Sequence, residues 1–165
     1  HAGDGFGAGF MHPFLGLDHL LAMVVVGIWS VLHSRRIWLA PLCFVCFLAV
    51  GAMLGHGGLV VPQLEPLVAA SVLVLGLMLT LPLGRGTSAP LAVIGAFALC
   101  HGMAHGGELG AAGSVLAGIV IGSAILHGAG MLLASHVLQQ REAWAHRLGQ
   151  AVALVGGYLL VNTLF

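Results

Sequence analysis

The sequence predicts an all-α integral membrane protein, a bundle of about six transmembrane helices in one domain that covers residues 1–165. The first observation is composition: 59% of the residues are hydrophobic and 6% are charged, whereas about a quarter of the residues in a soluble domain are charged. The second observation is that the apolar residues form stretches of about 20, the length that crosses a bilayer. Too few polar side chains remain to cover a water-facing surface.

Charged residues and helix breakers divide the chain into six apolar stretches. With about 20 residues required for each crossing, the predicted spans are 13–33, 38–57, 64–83, 88–109, 112–138 and 148–165. Pro13 suits the first turn of a helix, where its missing N–H costs nothing. We therefore predict that His12 caps the first span.

Glycine is unusually frequent, with 26 residues. Glycines that are four residues apart in an apolar helix lie on one face and let two helices pack at close range. This spacing occurs at Gly51/Gly55, at Gly102/Gly106/Gly110 and at Gly118/Gly122. We expect these faces to form helix–helix contacts.

The positions of the arginines predict the orientation in the membrane. All five would lie at one side of the bundle: Arg35, Arg36, Arg85, Arg141 and Arg147. The positive-inside rule makes that side cytoplasmic and leaves both termini outside. Because the chain starts at His1 without a methionine, we expect a secretory signal to have been removed, a cloning artefact being the alternative. Both cues place the N-terminus outside.

A first cluster of ionisable residues, His12, Asp18 and His19, lies at the start of the first predicted span. Such groups are costly in a membrane and indicate function by default. On an ideal helix His12 and His19 share a face but are too far apart for a self-contained metal site, and Asp18 points about 100° away from His19. Asp18 is expected to face another helix or to orient a neighbouring imidazole. The alternative is a His–Asp pair that only fastens helices together.

A second cluster, His101, His105 and Glu108, shares one face of the fourth predicted span. Imidazole and carboxylate at this spacing suit divalent ions such as Ni, Co, Zn or Cu. His101 and Glu108 would be about 10.5 Å apart along an ideal axis, so they share one ion only if the helix unwinds. Otherwise the ligands form a track. The alternative is histidines that bond to backbone carbonyls.

The predicted topology places both clusters near the outer face, where they would form two halves of one vestibule. His1 could add an imidazole and an α-amine, unless the terminus is disordered. His56, at the outer end of the second span, is an accessory candidate. His127, towards the inner end of the fifth span, is a candidate exit ligand, and a histidine bonded to a carbonyl is the equal alternative.

Several function classes are excluded by what the sequence lacks. It has no GxxxxGK[ST] loop, which excludes ATP drive within this chain, and no HExxH zinc-protease signature. With zero net charge and no basic patch, nucleic acid is not an expected partner. A divalent ion that moves inward gains about 4.6 kcal/mol per 100 mV of inside-negative potential. We therefore predict a passive, potential-driven metal permease rather than an enzyme, with affinity falling as the pH drops through about 6.5.

The two clusters carry a resemblance. His12-x5-Asp18-His19 and His101-Gly-Met-Ala-His105-Gly-Gly-Glu108 resemble the HX5DH and FHGX[AV]HGXE motifs of the HupE/UreJ family of nickel/cobalt permeases. The resemblance extends over essentially the whole chain. It implies a bacterial inner-membrane protein that supplies nickel or cobalt, and it implies that the quoted histidines and acids are the transport residues. Cys100 departs from the second motif, which has Phe at this position, and leaves the identity of the ion open.

Two other function classes stay open at this point. A haem-binding membrane cytochrome would use histidines from facing helices as axial ligands. A di-metal oxidase is the third hypothesis, because His101-x3-His105 resembles a histidine box. For the permease we expect no resident cofactor, and Ni²⁺ or Co²⁺ as the transported ion. The expected partners are that ion and the lipid bilayer, with a homo-oligomer as an open alternative.

Overall fold

The computed structural model describes residues 2–81, 88–109, 113–139 and 141–165, and all regular secondary structure in these ranges is helical. The helices are α1 (Ala2–Leu15), α2 (Leu17–His33), α3 (Leu39–His56), α4 (Leu64–Thr80), α5 (Ser88–Leu109), α6 (Gly113–Leu133) and α7 (Glu142–Leu164). A π-helical turn, Ala134–Leu138, extends α6. The predicted all-α class is confirmed.

Three segments among the described residues are long and apolar enough to cross a membrane: Leu39–His56, Ser88–Gly107 and Gly113–Leu138. The bent pair α1 and α2 is a fourth if it is counted as one span. Helix α4 has 17 residues, about 26 Å of helix against a hydrocarbon core of about 30 Å. Helices α2 to α7 overlap the six predicted spans, but only three or four described segments meet both the length and the hydropathy requirement.

Helix α1 is an element that the sequence did not predict. Pro13 lies inside its last turn, so the prediction that His12 caps the first span is wrong. The stretch before Pro13 is rich in glycine, but in α1 these small residues allow close packing against another helix. A Cβ on Gly9 would meet the backbone of Val115 in α6, and only a glycine permits an approach of this kind.

Gly16 interrupts the path of the chain between α1 and α2, which meet at an angle of 78°. Its backbone is extended, with φ of −88° and ψ of 120°. The amide of Leu20 donates to the carbonyl of Gly16 at 2.9 Å, so α2 begins directly after the break. The first predicted span is therefore two helices, and the first turn of α2 carries Asp18 and His19.

The bundle is held together by helix faces made of glycine. Across α3 and α5, a Cβ on any of four glycines would meet the backbone of the opposite helix: Gly51, Gly55, Gly102 and Gly106. Gly118 and Gly122 face α1 in the same way. The predicted packing faces are confirmed for these six glycines, while Gly110 lies outside the described residues. The paired helices therefore approach one another closely at their glycine faces.

Candidate metal site

Four histidines from three helices pack against one another inside the bundle. We call them the four-histidine site: His12 of α1, His19 of α2, and His101 and His105 of α5. The ring centroids of His19 are 4.6 Å from those of His101 and 4.5 Å from those of His105, and His12 lies 4.6 Å from His105. The structure thus brings together the histidines of both sequence clusters.

The break at Gly16 makes this arrangement possible. Seven residues of straight helix would separate His12 and His19 by about 10.5 Å along the axis, whereas their ring centroids are 5.8 Å apart. The expectation that these two residues are too far apart assumed an intact helix, and the 78° bend overturns it. A Cβ on Gly16 would come within 2.9 Å of the Asp18 carboxylate, so the same glycine also leaves room for that side chain.

Asp18 holds the ring of its neighbour His19. One carboxylate oxygen, Oδ1, lies 2.8 Å from His19 Nδ1 and accepts a second hydrogen bond from the His19 backbone amide, also at 2.8 Å. With Nδ1–H donating to a carboxylate, the lone pair of Nε2 is available. This is the arrangement by which carboxylates orient metal-binding histidines. Of the two roles expected for Asp18, the structure shows the orientation of an imidazole.

Ser71 of α4 orients His101 in a similar way. Its hydroxyl donates to the carbonyl of Val68 at 2.6 Å and lies 2.8 Å from His101 Nε2. Because the hydroxyl proton is used on Val68, the ring must donate from Nε2–H, which leaves Nδ1 with a free lone pair. Sequence reasoning missed Ser71, since a single serine in an apolar helix carries no recognisable signal.

Several ring nitrogens of the site are buried without a hydrogen-bond partner: His19 Nε2, His101 Nδ1, and Nδ1 and Nε2 of His105. An unmade hydrogen bond of this kind costs about 1–3 kcal/mol. Buried polar groups are nearly always satisfied, so a concentration of unsatisfied ones requires a functional explanation. These nitrogen lone pairs are candidate ligands for a divalent ion.

The spacing of the rings fits a shared ion. Imidazoles that bind an ion at about 2.1 Å have ring centroids about 4.5 to 5.2 Å apart, for ligand angles between about 90° and 109°. Three ring pairs of the site, with separations of 4.5 to 4.6 Å, lie at the lower end of this range, whereas His12 and His19 are 5.8 Å apart and lie beyond it. The rings of His19 and His101 meet edge to face, whereas those of His19 and His105 are tilted by 50°. Among the described residues, no group of three or more His, Cys, Asp or Glu side chains is placed to hold a metal ion. Binding one ion at this site therefore requires the side chains to rearrange.

A cavity of about 730 Å³ adjoins the site at the end of the bundle where α4 begins, and we call it the outer cavity after the predicted topology. Its wall includes His12, Asp18 and His19 together with Glu65, an exposed residue in the first turn of α4. Glu65 was not among the residues that the sequence predicted for the site. The available signal was weak, because Glu65 is a lone acid at the start of an apolar helix.

His127 lies deeper in the bundle, on α6, and is separated from the four-histidine site by one aromatic ring. The centroid of Phe44, a fully buried residue of α3, is 5.8 Å from that of His101 and 5.1 Å from that of His127. Phe44 was not singled out in the sequence, where it looks like any other apolar residue of its span.

The remaining predicted site residues are not brought into this cluster by the described part of the chain. His56 ends α3 as an exposed residue and does not line the outer cavity. Cys100 is half-buried and is not part of the cavity wall. His1 and the side chain of Glu108 lie outside the described residues.

Comparison with known proteins identifies the family of this chain. The profile of the family described as HupE / UreJ protein matches residues 1–159. Protein HupE of Rhizobium leguminosarum bv. viciae is 41% identical over 164 residues, which cover 96% of this chain and 86% of the relative. The chain belongs to the HupE/UreJ family. No solved structure matches it.

The two sequence motifs of the HupE/UreJ family lie on three helices of this structure. The family's first motif supplies His12, Asp18 and His19 from either side of the break at Gly16. The second supplies His101 and His105 from one face of α5. The motifs are more than 80 residues apart in the chain, yet their imidazoles are in direct contact.

Proposed function

We propose that this HupE/UreJ protein is a permease of the bacterial inner membrane that takes up Ni²⁺, or Co²⁺, through the four-histidine site. The observation that carries the proposal is the group of buried ring nitrogens without partners, contributed by α2 and α5. Imidazole is a ligand of borderline softness, which suits these ions better than Ca²⁺ or Mg²⁺. Two oriented rings, His19 and His101, would be the principal ligands.

Capture begins in the outer cavity. The carboxylates of Glu65 and Asp18 give this cavity two negative charges, which raise the local concentration of divalent cations. A volume of about 730 Å³ accommodates an ion with its hydration shell. The ion then exchanges water for imidazole nitrogens one at a time, and His12, which is only partly buried, is the first histidine that it meets.

The membrane potential would drive movement inward. With the arginines at the cytoplasmic side, the four-histidine site lies towards the outside, and the ion gains about 4.6 kcal/mol per 100 mV on crossing. In this proposal both termini lie outside the cytoplasm, and no resident cofactor or chemical step is involved. The ion and the lipid bilayer are the partners, whereas the site itself needs no second copy of the chain.

The haem alternative has no support in this geometry. Two imidazoles that serve one haem iron lie on opposite faces of the porphyrin, and a flat slot must separate their helices. Here the His19 ring meets the His101 ring edge to face and the His105 ring at a tilt of 50°, with centroids 4.5 to 4.6 Å apart. Rings this close leave no room for a porphyrin between them.

Uptake into proteoliposomes that contain a Ni²⁺-sensitive dye tests the proposal, with an inside-negative potential imposed. His105→Ala and Asp18→Asn should lower the initial rate by at least about tenfold, since one removes a ligand and the other the group that orients a ligand. His136→Ala is the matched control, because His136 is exposed and bonds only within its own turn. Wild-type rates in both site variants would refute the assignment.

A further inference from the structure

His127 is a buried imidazole that the four-histidine site does not use. It is 1% exposed, and neither ring nitrogen makes a hydrogen bond of normal geometry. The backbone of Ser123, one turn earlier, lies close to the ring. The Ser123 hydroxyl donates to the carbonyl of Ile119 at 2.7 Å and therefore cannot donate to His127. Burying a polar ring whose nitrogens lack good hydrogen bonds is unfavourable, so packing alone is a poor explanation for a histidine at this position.

Packing at this level does not require the imidazole. A Cβ on Gly27 of α2 would meet the carbonyl of His127, and one on Gly130 of α6 would meet the carbonyl of Val24. The two backbones are thus already in contact through glycine faces. A leucine at position 127 would fill a similar volume without burying two nitrogen atoms.

His127 is flanked by the four-histidine site on one side and by the end of α6 on the other. On its outer side, the Phe44 ring touches both His127 and His101. On its inner side, α6 continues through the π-helical turn to Leu138, which lines a second cavity of about 890 Å³. This inner cavity also has His33, His146 and Gln150 in its wall.

We propose that His127 is an inner station for the transported ion, reached from the four-histidine site when the Phe44 ring moves aside. The inference rests on the proposed transport function and extends it inward. A phenyl ring has no lone pair for a divalent ion, so Phe44 interrupts the row of donors and retains the ion in the outer site. His127 binds the ion with one imidazole, a weak and brief association that suits transfer rather than storage.

The test separates binding from passage. Ni²⁺ affinity is measured by isothermal titration calorimetry on protein purified without a polyhistidine tag, and uptake is measured in proteoliposomes. His127→Leu removes the donor, whereas His127→Gln keeps a polar side chain that can form hydrogen bonds but is a poor Ni²⁺ ligand. Both variants should keep the affinity of the outer site within about twofold and lower the initial uptake rate by at least about tenfold. His136→Gln, the same change at an exposed histidine, should alter neither.

Three results would overturn the inner station. Uptake by His127→Leu within about twofold of wild type would show that no ligand is needed there. Restored uptake in His127→Gln would show that the ring serves only as a hydrogen-bonding group. Parallel loss of affinity and uptake would assign it to the packing of the bundle. If the wild-type protein itself neither binds nor transports Ni²⁺, the proposed function fails as well, which is a distinct outcome.

Discussion

Ser71→Ala is the sharpest test of how the site is built, because Ser71 touches one histidine and no ion. Its hydroxyl accepts from His101 Nε2 at 2.8 Å, and both residues are fully buried. Alanine suits the helix well, so the local structure of α4 should persist. The substitution leaves the ring of His101 with a buried donor that has no partner, and the ring becomes free to rotate.

The expected magnitude follows from these contacts. A buried donor that loses its partner costs about 1–3 kcal/mol of stability. Loss of a group that orients a metal-binding histidine lowers metal affinity by about 10- to 100-fold. We therefore expect a lower melting temperature together with Ni²⁺ affinity at least about tenfold weaker in Ser71→Ala.

Ser30→Ala is the matched control for this experiment. Ser30 is also fully buried, and its hydroxyl donates to the carbonyl of Gly27 at 2.7 Å, as Ser71 does to Val68 at 2.6 Å. Among the described residues, the Ser30 hydroxyl bonds to the Gly27 carbonyl and to no imidazole of the site. Calorimetric titration of both variants with Ni²⁺, with thermal unfolding measured in parallel, gives the comparison. Equal Ni²⁺ affinity in the two variants would refute the role given to Ser71.

Three further predictions concern the break, the packing and the ligands. Gly16→Ala should weaken Ni²⁺ binding measured by titration, because the new Cβ would meet the Asp18 carboxylate and the His19 ring. Gly128→Ala is the control and should leave Ni²⁺ binding unchanged, because a Cβ at Gly128 would enter open space. Gly102→Ala should lower the unfolding free energy by about 1–3 kcal/mol in a thermal or denaturant assay, because overpacking against α3 is costly, and unchanged stability would contradict that. Acidification from about pH 7.5 to about pH 5.5 should slow Ni²⁺ uptake, since a proton and the ion compete for the same imidazole nitrogens. A rate that is insensitive to pH would argue against imidazole ligands.

The sequence predicted the helices of this protein better than the turn between the first two. Six apolar stretches correspond to α2 to α7 within a few residues at most ends, because the length of an apolar run is a local property. Helix α1 and the bend at Gly16 were missed, since glycine in a polar context and glycine in a packed helix look alike in a sequence. Only the neighbouring backbone of α6 distinguishes the two cases for Gly9.

The candidate site likewise contains residues that the sequence predicted and residues that it did not. Histidines and acids are conspicuous in an apolar chain, so both motifs could be identified before any coordinates. Ser71, Glu65 and Phe44 could not, because serine, a terminal acid and an apolar ring are ordinary in a membrane helix. Each gains its meaning from a partner on another helix, as Ser71 does from His101.

By itself, the sequence determined that the chain is helical and apolar, and it predicted that two motifs carry metal ligands. These are matters of composition and of spacing within one helix, which the geometry of 3.6 residues per turn makes predictable. Only the tertiary structure decided that His12 and His19 are close, and that His101 lies beside them. The reason is physical: a 78° bend and the contacts between glycine faces depend on pairs of helices. No single stretch of sequence records which helix will be its neighbour.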